Sequence, residues 1–281
     1  MGYTYEKQNA TLTAGTYYQS QMALTITNMQ HNPLWWVAQY NMAENKTSFV
    51  TSHSTESQHC FNWNDACAEG IDNYHLPYID ELESIFPCYG NTVIFSLSET
   101  LASPKEFSEA CNIGGSSVSA NTSVIGKNAD ADYYAVRFIG TQYASAWHYK
   151  WVTSPCNGML IESYLISGGC ADVAVAKTIL AGLASSTIFT GSANASGANQ
   201  TPESMTVTAN AFIQRFLPAC GGNSTNGSGT ASNNQGSVGT YWSCSEAAEN
   251  FKWYLRISSS CFKEYYLHTT NGLSVRLFHN H

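Results

Sequence analysis

The sequence predicts a protein of the α+β class, in which short helices accompany mostly antiparallel strands. Two stretches early in the chain have the pattern of helices, residues 61–70 and residues 74–87. Apolar and polar residues alternate later in the chain, over residues 133–166 and 253–258, which is the pattern of half-buried strands. We interpret the first of these two regions as two or three antiparallel strands.

The chain begins with a predicted β segment. Residues 1–30 carry β-branched and aromatic residues around glycine, so they either end a preceding domain or pair with a strand elsewhere. A dense apolar run follows from Pro33 to Ala43, and we interpret it as a strand. Its tandem tryptophans, Trp35 and Trp36, are expected to pack in the core.

Start and stop signals delimit the two helices. Gly70 would cap the carboxyl end of the first helix. The second would begin near Pro77, carry an acidic first turn and end at Pro87. Its buried stripe is expected to consist of Ile79, Leu82, Ile85 and Phe86.

The middle of the chain has weaker signals. Residues 88–132 are mixed and rich in Ser, Asn and Gly, and residues 171–184 could form a helix. Residues 185–209 read as a polar connection, and the Gly/Asn/Ser-rich stretch from Asn223 to Gly239 predicts a surface loop.

Composition limits the possible partners. The net charge is -8 and only 11 % of the residues are charged, so the chain offers no basic face for nucleic acid. It has no run of about 18 apolar residues, which excludes membrane insertion by a helix. The composition suits an extracellular or virion protein. The amino terminus lacks the apolar core of a signal peptide, so the protein either needs no secretion or follows a removed leader.

Enzyme signatures are missing from the sequence. The nine cysteines form no CxxC pair, and their spread allows disulfides without specifying any. No GxSxG, HExxH or P-loop motif occurs. We therefore predict no catalytic residue, no cofactor and no metal site.

The carboxy-terminal part combines an orderly frame with a disorderly set of residues. Trp253, Leu255 and Ile257 alternate as in a strand, and the Asn271-Gly272 turn precedes a short apolar strand over residues 273–278. The residues between share neither periodicity nor polarity, and such a mixture of aromatic and charged residues is typical of a binding surface. The candidate ligand-binding residues are Cys244, Ala247, Ala248, Glu249, Phe251, Lys252, Tyr254, Arg256, Phe262, Lys263, Glu264, Tyr265, Tyr266 and His268.

A series of short motifs carries a family resemblance. They are WWVAQYNM, FNWNDACAEG, YHLPYIDELESIFP, YYAVRFIGTQYASAWHYKW, FIQRFLPACGG, GTYWSCSE and NGLSVRLF. In this order they resemble bacterial C-type-lectin-like domains of fimbrial tip proteins and lipoproteins of gut Bacteroidales. The same frame is used by the variable proteins of diversity-generating retroelements, and the fold is related to the formylglycine-generating enzyme. The resemblance covers roughly residues 33–281.

The resemblance implies a fold and a site. The fold would place two helices on a small, twisted, mostly antiparallel sheet with long loops, and its first and last strands would pair. Residues 31–281 would form this ligand-binding domain, with a β-rich insertion at about 89–235. Ligand-binding residues would lie exposed on one face, from Cys244 to Lys252 and on the outward positions of 254–268.

The implied function is a surface-displayed adhesin or receptor-binding protein, diversified by a retroelement. Its partner would be a protein or glycan on a cell surface, and its location the cell surface, a pilus tip or a phage tail. A glycan-binding lectin of fixed specificity is the alternative, and an oxidase that binds copper through Cys220, Cys244 or Cys261 is a further one. Trp63-Asn64-Asp65 matches a motif of calcium-dependent lectins, but it falls on a predicted helix and not on a late strand.

Overall fold

Antiparallel sheets make up most of this protein. The structure is a computed structural model that describes residues 31–54, 59–68, 70–87, 104–127, 132–166, 169–185, 207–223, 227–230, 233–259 and 262–281. Across these residues, eleven strands form three antiparallel sheets, and the α-helices are three and short. The predicted α+β class, with two helices on a small sheet, is therefore wrong: the protein is mainly β.

The largest sheet has six strands, each paired with the next one along the chain. Its strands are β2 (Lys105–Ile113), β3 (Ser116–Lys127), β4 (Asp132–Ile139), β5 (Ser145–Val152), β6 (Gly158–Ile166) and β7 (Val207–Pro218). The alternation over residues 133–166 correctly predicts β4, β5 and β6. The first two strands were missed, although buried Phe107, Glu109, Cys111 and Ile113 alternate with more exposed residues along β2.

Two smaller sheets complete the fold. The three-stranded sheet has the order β10–β9–β8, and the remaining sheet pairs β1 with β11. These strands are β8 (Val238–Ala248), β9 (Phe251–Ser258), β10 (Phe262–His268), β1 (Tyr74–His75) and β11 (Phe278–His279). The predicted strand at residues 273–278 is reduced to isolated bridges, such as Leu273 with Phe61, before β11.

The helices agree with the sequence signals in place but not in length. They are α1 (Trp63–Cys67), α2 (Ile79–Glu83) and α3 (Val173–Ser185). Ala68, and not Gly70, is the C-cap of α1, while α2 begins after Tyr78 in a capping box with Glu81. At five residues each, α1 and α2 are too short to form a layer of their own. Among the described helices, none is long and apolar enough to cross a membrane.

The predicted strand at residues 33–43 is instead a 3₁₀ helix, Pro33–Trp36, followed by single bridges. The Asn32 side chain accepts a hydrogen bond from the Leu34 N–H, and Pro33 occupies the first turn, where its missing N–H is tolerated. The following residues pair with the end of the chain, as in the bridge from Val37 to Phe278. The implied pairing of the two terminal segments is present in this reduced form.

The six-stranded sheet is covered on both faces. One face packs against α3 around Tyr134, Tyr164 and Leu180. The other face joins α2 and the three-stranded sheet in a single core that extends from Leu34 to Phe278. The segment predicted as an insertion, about 89–235, thus supplies the main wall of this core.

Two buried arginines hold the layers together. Arg137 on β4 pairs with Glu109 at 2.8 Å and donates to the backbone carbonyls of Glu83, Ser84 and Phe86, which terminates α2 against the large sheet. Arg276 donates to the Asn41 side chain and to the carbonyls of Ala38, Gln39 and Phe216. Both side chains are fully buried, so α2 and the terminal segments are fixed relative to the sheets.

Candidate functional site

The β9–β10 hairpin carries most of the predicted binding residues. Its register pairs Ile257 with Phe262, Leu255 with Glu264, and Phe251 with His268. Because directly paired residues point to the same side of a sheet, each side of the hairpin carries a defined set of side chains. The candidate residues divide between the two sides, so they do not form one face.

The side of the hairpin that faces the core runs from buried to exposed. Ile257 and Phe262 are 0 % and 1 % exposed and belong to the main core, where the Phe262 ring lies 4.1 Å from that of Phe86. Glu264 is 9 % exposed. At the opposite end of the same side, Phe251 is 37 % and Tyr266 is 59 % exposed. Phe262 and Glu264 were predicted as ligand-binding residues, but they are buried and are not available to a ligand.

The exposed end forms a continuous set of rings, which we call the aromatic face and define as Phe251, Trp253, Tyr266 and His268. The Tyr266 ring packs edge-on against Phe251 at 6.0 Å and against Trp253 at 5.7 Å. The His268 ring packs edge-on against Phe251 at 5.4 Å. These contacts hold the rings in place across two paired strands, so the face is preorganised.

The turn between β8 and β9 sets the outer limit of this face. Ala248 pairs with Phe251, which leaves Glu249 and Asn250 as a two-residue connection, and Asn250 has a φ of 61°. Ala248 and Glu249 are exposed and Ala247 is half-buried, so these three predicted residues border the aromatic face at its tip.

The opposite side of the hairpin carries cations that stack on rings. The Lys252 Nζ lies 4.4 Å from the centre of the Trp63 ring, and the Lys263 Nζ lies 4.6 Å from that of Tyr265. Arg256 approaches the same Tyr265 ring at 5.8 Å. Tyr254 stacks on Tyr265 and packs beside the buried Trp242. These predicted residues are half-buried and are already engaged with neighbours of the fold.

Cys244 lies away from both sides, in a separate cavity of about 480 Å³. The cavity is also lined by Cys67, His75 and Tyr78. The Cys244 N–H donates to the Pro77 carbonyl, and burial raises the pKa of its thiol to about 12. The thiol is therefore protonated at neutral pH and is a poor nucleophile.

A pair of carboxyl groups lies where the aromatic face meets the core. Burial raises the pKa of Glu83 on α2 to about 8, and the charge and hydrogen bond of Glu264 contribute further. Asp80 and Glu109 act in the same direction. At neutral pH the two carboxyl groups therefore share a proton, which lets Glu264 stay buried.

Of the three cysteines named for the copper-binding alternative, the structure describes Cys220 and Cys244. Burial raises the pKa of Cys220, whose sulfur accepts a 2.8 Å hydrogen bond from Ser274. Cys60 also interacts with Ser274, while Cys261 lies outside the described residues. Cys60, Cys111, Cys170, Cys220 and Cys244 are free thiols. The described residues also contain no group of three His, Cys, Asp or Glu side chains that could hold a metal ion.

The lectin-like Trp63-Asn64-Asp65 motif has a structural role. It forms the start of α1, where the Trp63 ring nitrogen donates to the Ser243 carbonyl at 3.0 Å. Asp65 pairs with Lys46 at 2.8 Å and accepts a hydrogen bond from Asn62. The motif thus joins α1 to β8 and to the preceding loop.

Trp253 is the member of the aromatic face that the sequence interpretation missed. It was assigned to the frame because it alternates with Leu255 and Ile257, yet Phe251 shares that phase and is exposed. Because Phe251 and Trp253 are two residues apart and lie on the same side of the strand, the sequence could have indicated that Trp253 borders the exposed Phe251.

The chain belongs to a family described as a domain of unknown function, DUF8237, whose model matches residues 29–278. No curated protein and no solved structure gives a match to it. The matched range includes the six-stranded sheet, the three-stranded sheet and the whole β9–β10 hairpin. The residues of the aromatic face therefore lie inside the matched range.

Proposed function

We propose that this protein is a non-enzymatic ligand-binding protein displayed outside the cell, an adhesin or receptor-binding protein that contacts its partner through the aromatic face. One observation carries the proposal: Phe251 and Tyr266, two large apolar side chains, stand exposed side by side on a hairpin anchored in the core. Single exposed apolar residues are common, but adjacent exposed rings are typical of the centre of a protein-binding surface.

The surroundings of the face favour a macromolecular partner over a small molecule. The rings lie on a sheet surface and not in a cleft, and small ligands need concave sites. Glu249 and Asn250 at the tip, with His268 on β10, supply polar groups at the rim of the rings. An apolar centre with a polar rim suits a protein surface or a glycan chain on a cell.

The resemblance to variable proteins adds that this hairpin is diversified. Phe251, Tyr266 and His268 would then be among the randomised positions, while buried Phe262 and Glu264 would stay constant because they complete the core. The DNA beside the gene tests this directly. A near-copy of the final codons that differs at adenines, next to a reverse transcriptase, is the expected finding.

Binding is tested with an array of extracellular protein domains and glycans, probed with the labelled protein. We expect retention on at least one array feature, and at least a tenfold loss in the Phe251→Ser/Tyr266→Ser variant because the central rings are gone. Val175→Ser is the matched control. Val175 is 42 % exposed, and it lies on α3, the helix that packs against the large sheet. Equal retention of the double variant and the wild type on every feature would contradict the proposal, as would retention on no feature.

A further inference from the structure

Three short segments of the chain converge on a second aromatic site at one end of the six-stranded sheet. They are the 3₁₀ helix, the β2–β3 turn and the β4–β5 turn, which contribute Trp36, Gly114 and Tyr143 to the wall of a cavity of about 390 Å³. Loops clustered at one end of a rigid scaffold are a common location for binding sites. This cavity shares no residue with the aromatic face.

The β2–β3 turn is shaped to receive rings. Gly114 and Gly115 have φ angles of 54° and 79°, which favour glycine. A Cβ at Gly114 would lie 2.1 Å from the Trp36 ring, and a Cβ at Gly115 would lie 2.4 Å from the His281 ring. Both rings therefore rest directly on the backbone of the turn, and no side chain could take the place of either glycine without moving them.

The tryptophans are held by buried neighbours. Leu34 is fully buried, and the Asn32 amide donates to the Ser163 carbonyl at 3.2 Å, so the 3₁₀ helix is fixed to β6. Trp35 packs edge-on against Trp36 at 4.9 Å and stacks on His279 at 5.1 Å. Both indoles remain half-exposed. A rigid ring pair open to solvent is a preorganised apolar platform.

A further lining residue, Tyr143, is positioned by the β4–β5 turn. Its N–H donates to the Thr141 hydroxyl at 3.1 Å, and its carbonyl accepts from the Ser145 hydroxyl at 2.9 Å. The His31 ring packs edge-on against Tyr143 at 5.7 Å. Aromatic rings from two separate segments of the chain thus line the cavity.

The remaining lining determines which ligand fits. Ser116, Asn280 and the imidazoles of His31 and His281 supply hydrogen-bonding groups, whereas none of the described lining residues is Asp, Glu, Lys or Arg. A phosphorylated ligand would find no guanidinium or ammonium group here. The lining instead suits an uncharged molecule that has an apolar face and several hydroxyl groups, and the volume lies in the range of small-ligand pockets.

We propose that this cavity binds a neutral saccharide, with one sugar face on the tryptophan pair and its hydroxyl groups toward Ser116 and Asn280. Calorimetric titration with glucose, galactose, N-acetylglucosamine, maltose and cellobiose tests it. We expect at least one sugar to bind with a dissociation constant on the order of 1 mM, as is reasonable for a ligand of this size. Benzyl alcohol serves as the aromatic probe without sugar hydroxyls and should bind at least tenfold more weakly.

Substitutions locate the binding. Trp35→Ala should weaken it at least tenfold, because it removes a half-exposed ring of the tryptophan pair. Tyr143→Phe keeps its ring and should change the binding little. Gly114→Ala should abolish binding by displacing the Trp36 ring, while Gly236→Ala is the matched control. Gly236 has a similar φ of 80°, and the nearest atom to a Cβ there is 3.8 Å away.

Either of two results at the cavity itself would overturn the proposal. One is the absence of binding by any of the five sugars, and the other is unchanged sugar binding in Trp35→Ala. The Phe251→Ser/Tyr266→Ser variant should retain sugar binding, which separates this cavity from the aromatic face. Loss of sugar binding in that variant, with folding intact, would place the sugar on β9–β10 and equally contradict the assignment.

Discussion

The two ends of the β9–β10 hairpin differ although they share a side of the same sheet. At one end Ile257 and Phe262 are closed off by α2 and the six-stranded sheet. At the other end Phe251, Tyr266 and His268 extend past that cover and contact mainly one another. The boundary falls at Glu264, where two carboxyl groups share a proton. Strand periodicity determines the side on which a residue lies, but the neighbouring layers determine how deeply it is buried.

The comparison implies that equally aromatic residues serve different purposes along one strand. Phe262 stabilises the fold, whereas Tyr266, four residues later on the same side, adds little to stability and is available to a partner. Substitutions along the hairpin should therefore divide into those that reduce stability and those that reduce binding.

Phe262→Ala should have the largest effect on stability. The ring is 1 % exposed and packs against Phe86 and Tyr149, so its removal leaves a cavity. We expect the free energy of unfolding to fall by about 3–5 kcal/mol, measured by guanidinium titration. A loss below about 1 kcal/mol would mean that this end of the hairpin does not belong to the core.

The stability that the Glu83 and Glu264 carboxyl groups contribute should depend on pH. Glu83 has a folded-state pKa of about 8 against an ordinary value of 4.5, mainly because of burial and the nearby Glu264. The folded protein therefore keeps a proton that the unfolded chain releases between these values, so this contribution to stability is complete below pH 4.5 and is lost as the pH rises through about 8.

Glu83→Gln should remove that dependence. At pH 8.5 we expect its melting temperature to exceed that of the wild type by a few degrees, roughly the shift that 1 kcal/mol produces in a protein of this size. The two proteins should differ less at pH 5. Glu106→Gln is the control, because Glu106 lies in an exposed ion pair with Lys177. Parallel pH profiles for wild type and Glu83→Gln would contradict the shared proton.

Lys252→Ala should have a smaller effect. Its ammonium group lies 4.4 Å from the Trp63 ring centre and 3.6 Å from Glu246, and its side chain is 13 % exposed. We expect a loss of about 0.5–1 kcal/mol in thermal or chemical unfolding. An effect on ligand binding as large as that of Phe251→Ser/Tyr266→Ser would show that the cation side of the hairpin also contacts the partner.

Local signals predicted the elements of the fold better than its class. Capping residues and apolar spacing located α1 and α2, residues 171–184 were expected to form a helix and contain most of α3, and alternation located β4 to β6. The class was wrong because β2 and β3 lie in a stretch that reads as mixed, although they belong to the largest sheet. Their polar residues include Glu109 and Thr122, which bond to each other and, through Glu109, to Arg137 inside the protein. Such pairing depends on residues far apart in the chain, so local periodicity does not reveal it.

The candidate site was predicted to the right hairpin but not to the right residues. Irregular composition between residues 244 and 268 identified the region, and Phe251, Tyr266 and His268 are on its exposed face. Phe262 and Glu264 were included because the sequence does not show where α2 covers the sheet. The cavity beside Trp36 was missed because the segments that line it are far apart in the sequence and meet only in the folded chain.

The central claim is that the aromatic face is dispensable for folding, and guanidinium unfolding of Phe251→Ser/Tyr266→Ser/His268→Ser tests it most directly. The three side chains contact mainly one another, so we expect the free energy of unfolding to fall by about 1–2 kcal/mol in total, with the transition still cooperative. A fall of about 4 kcal/mol or more, comparable with that of Phe262→Ala, would place these rings in the core and contradict the account.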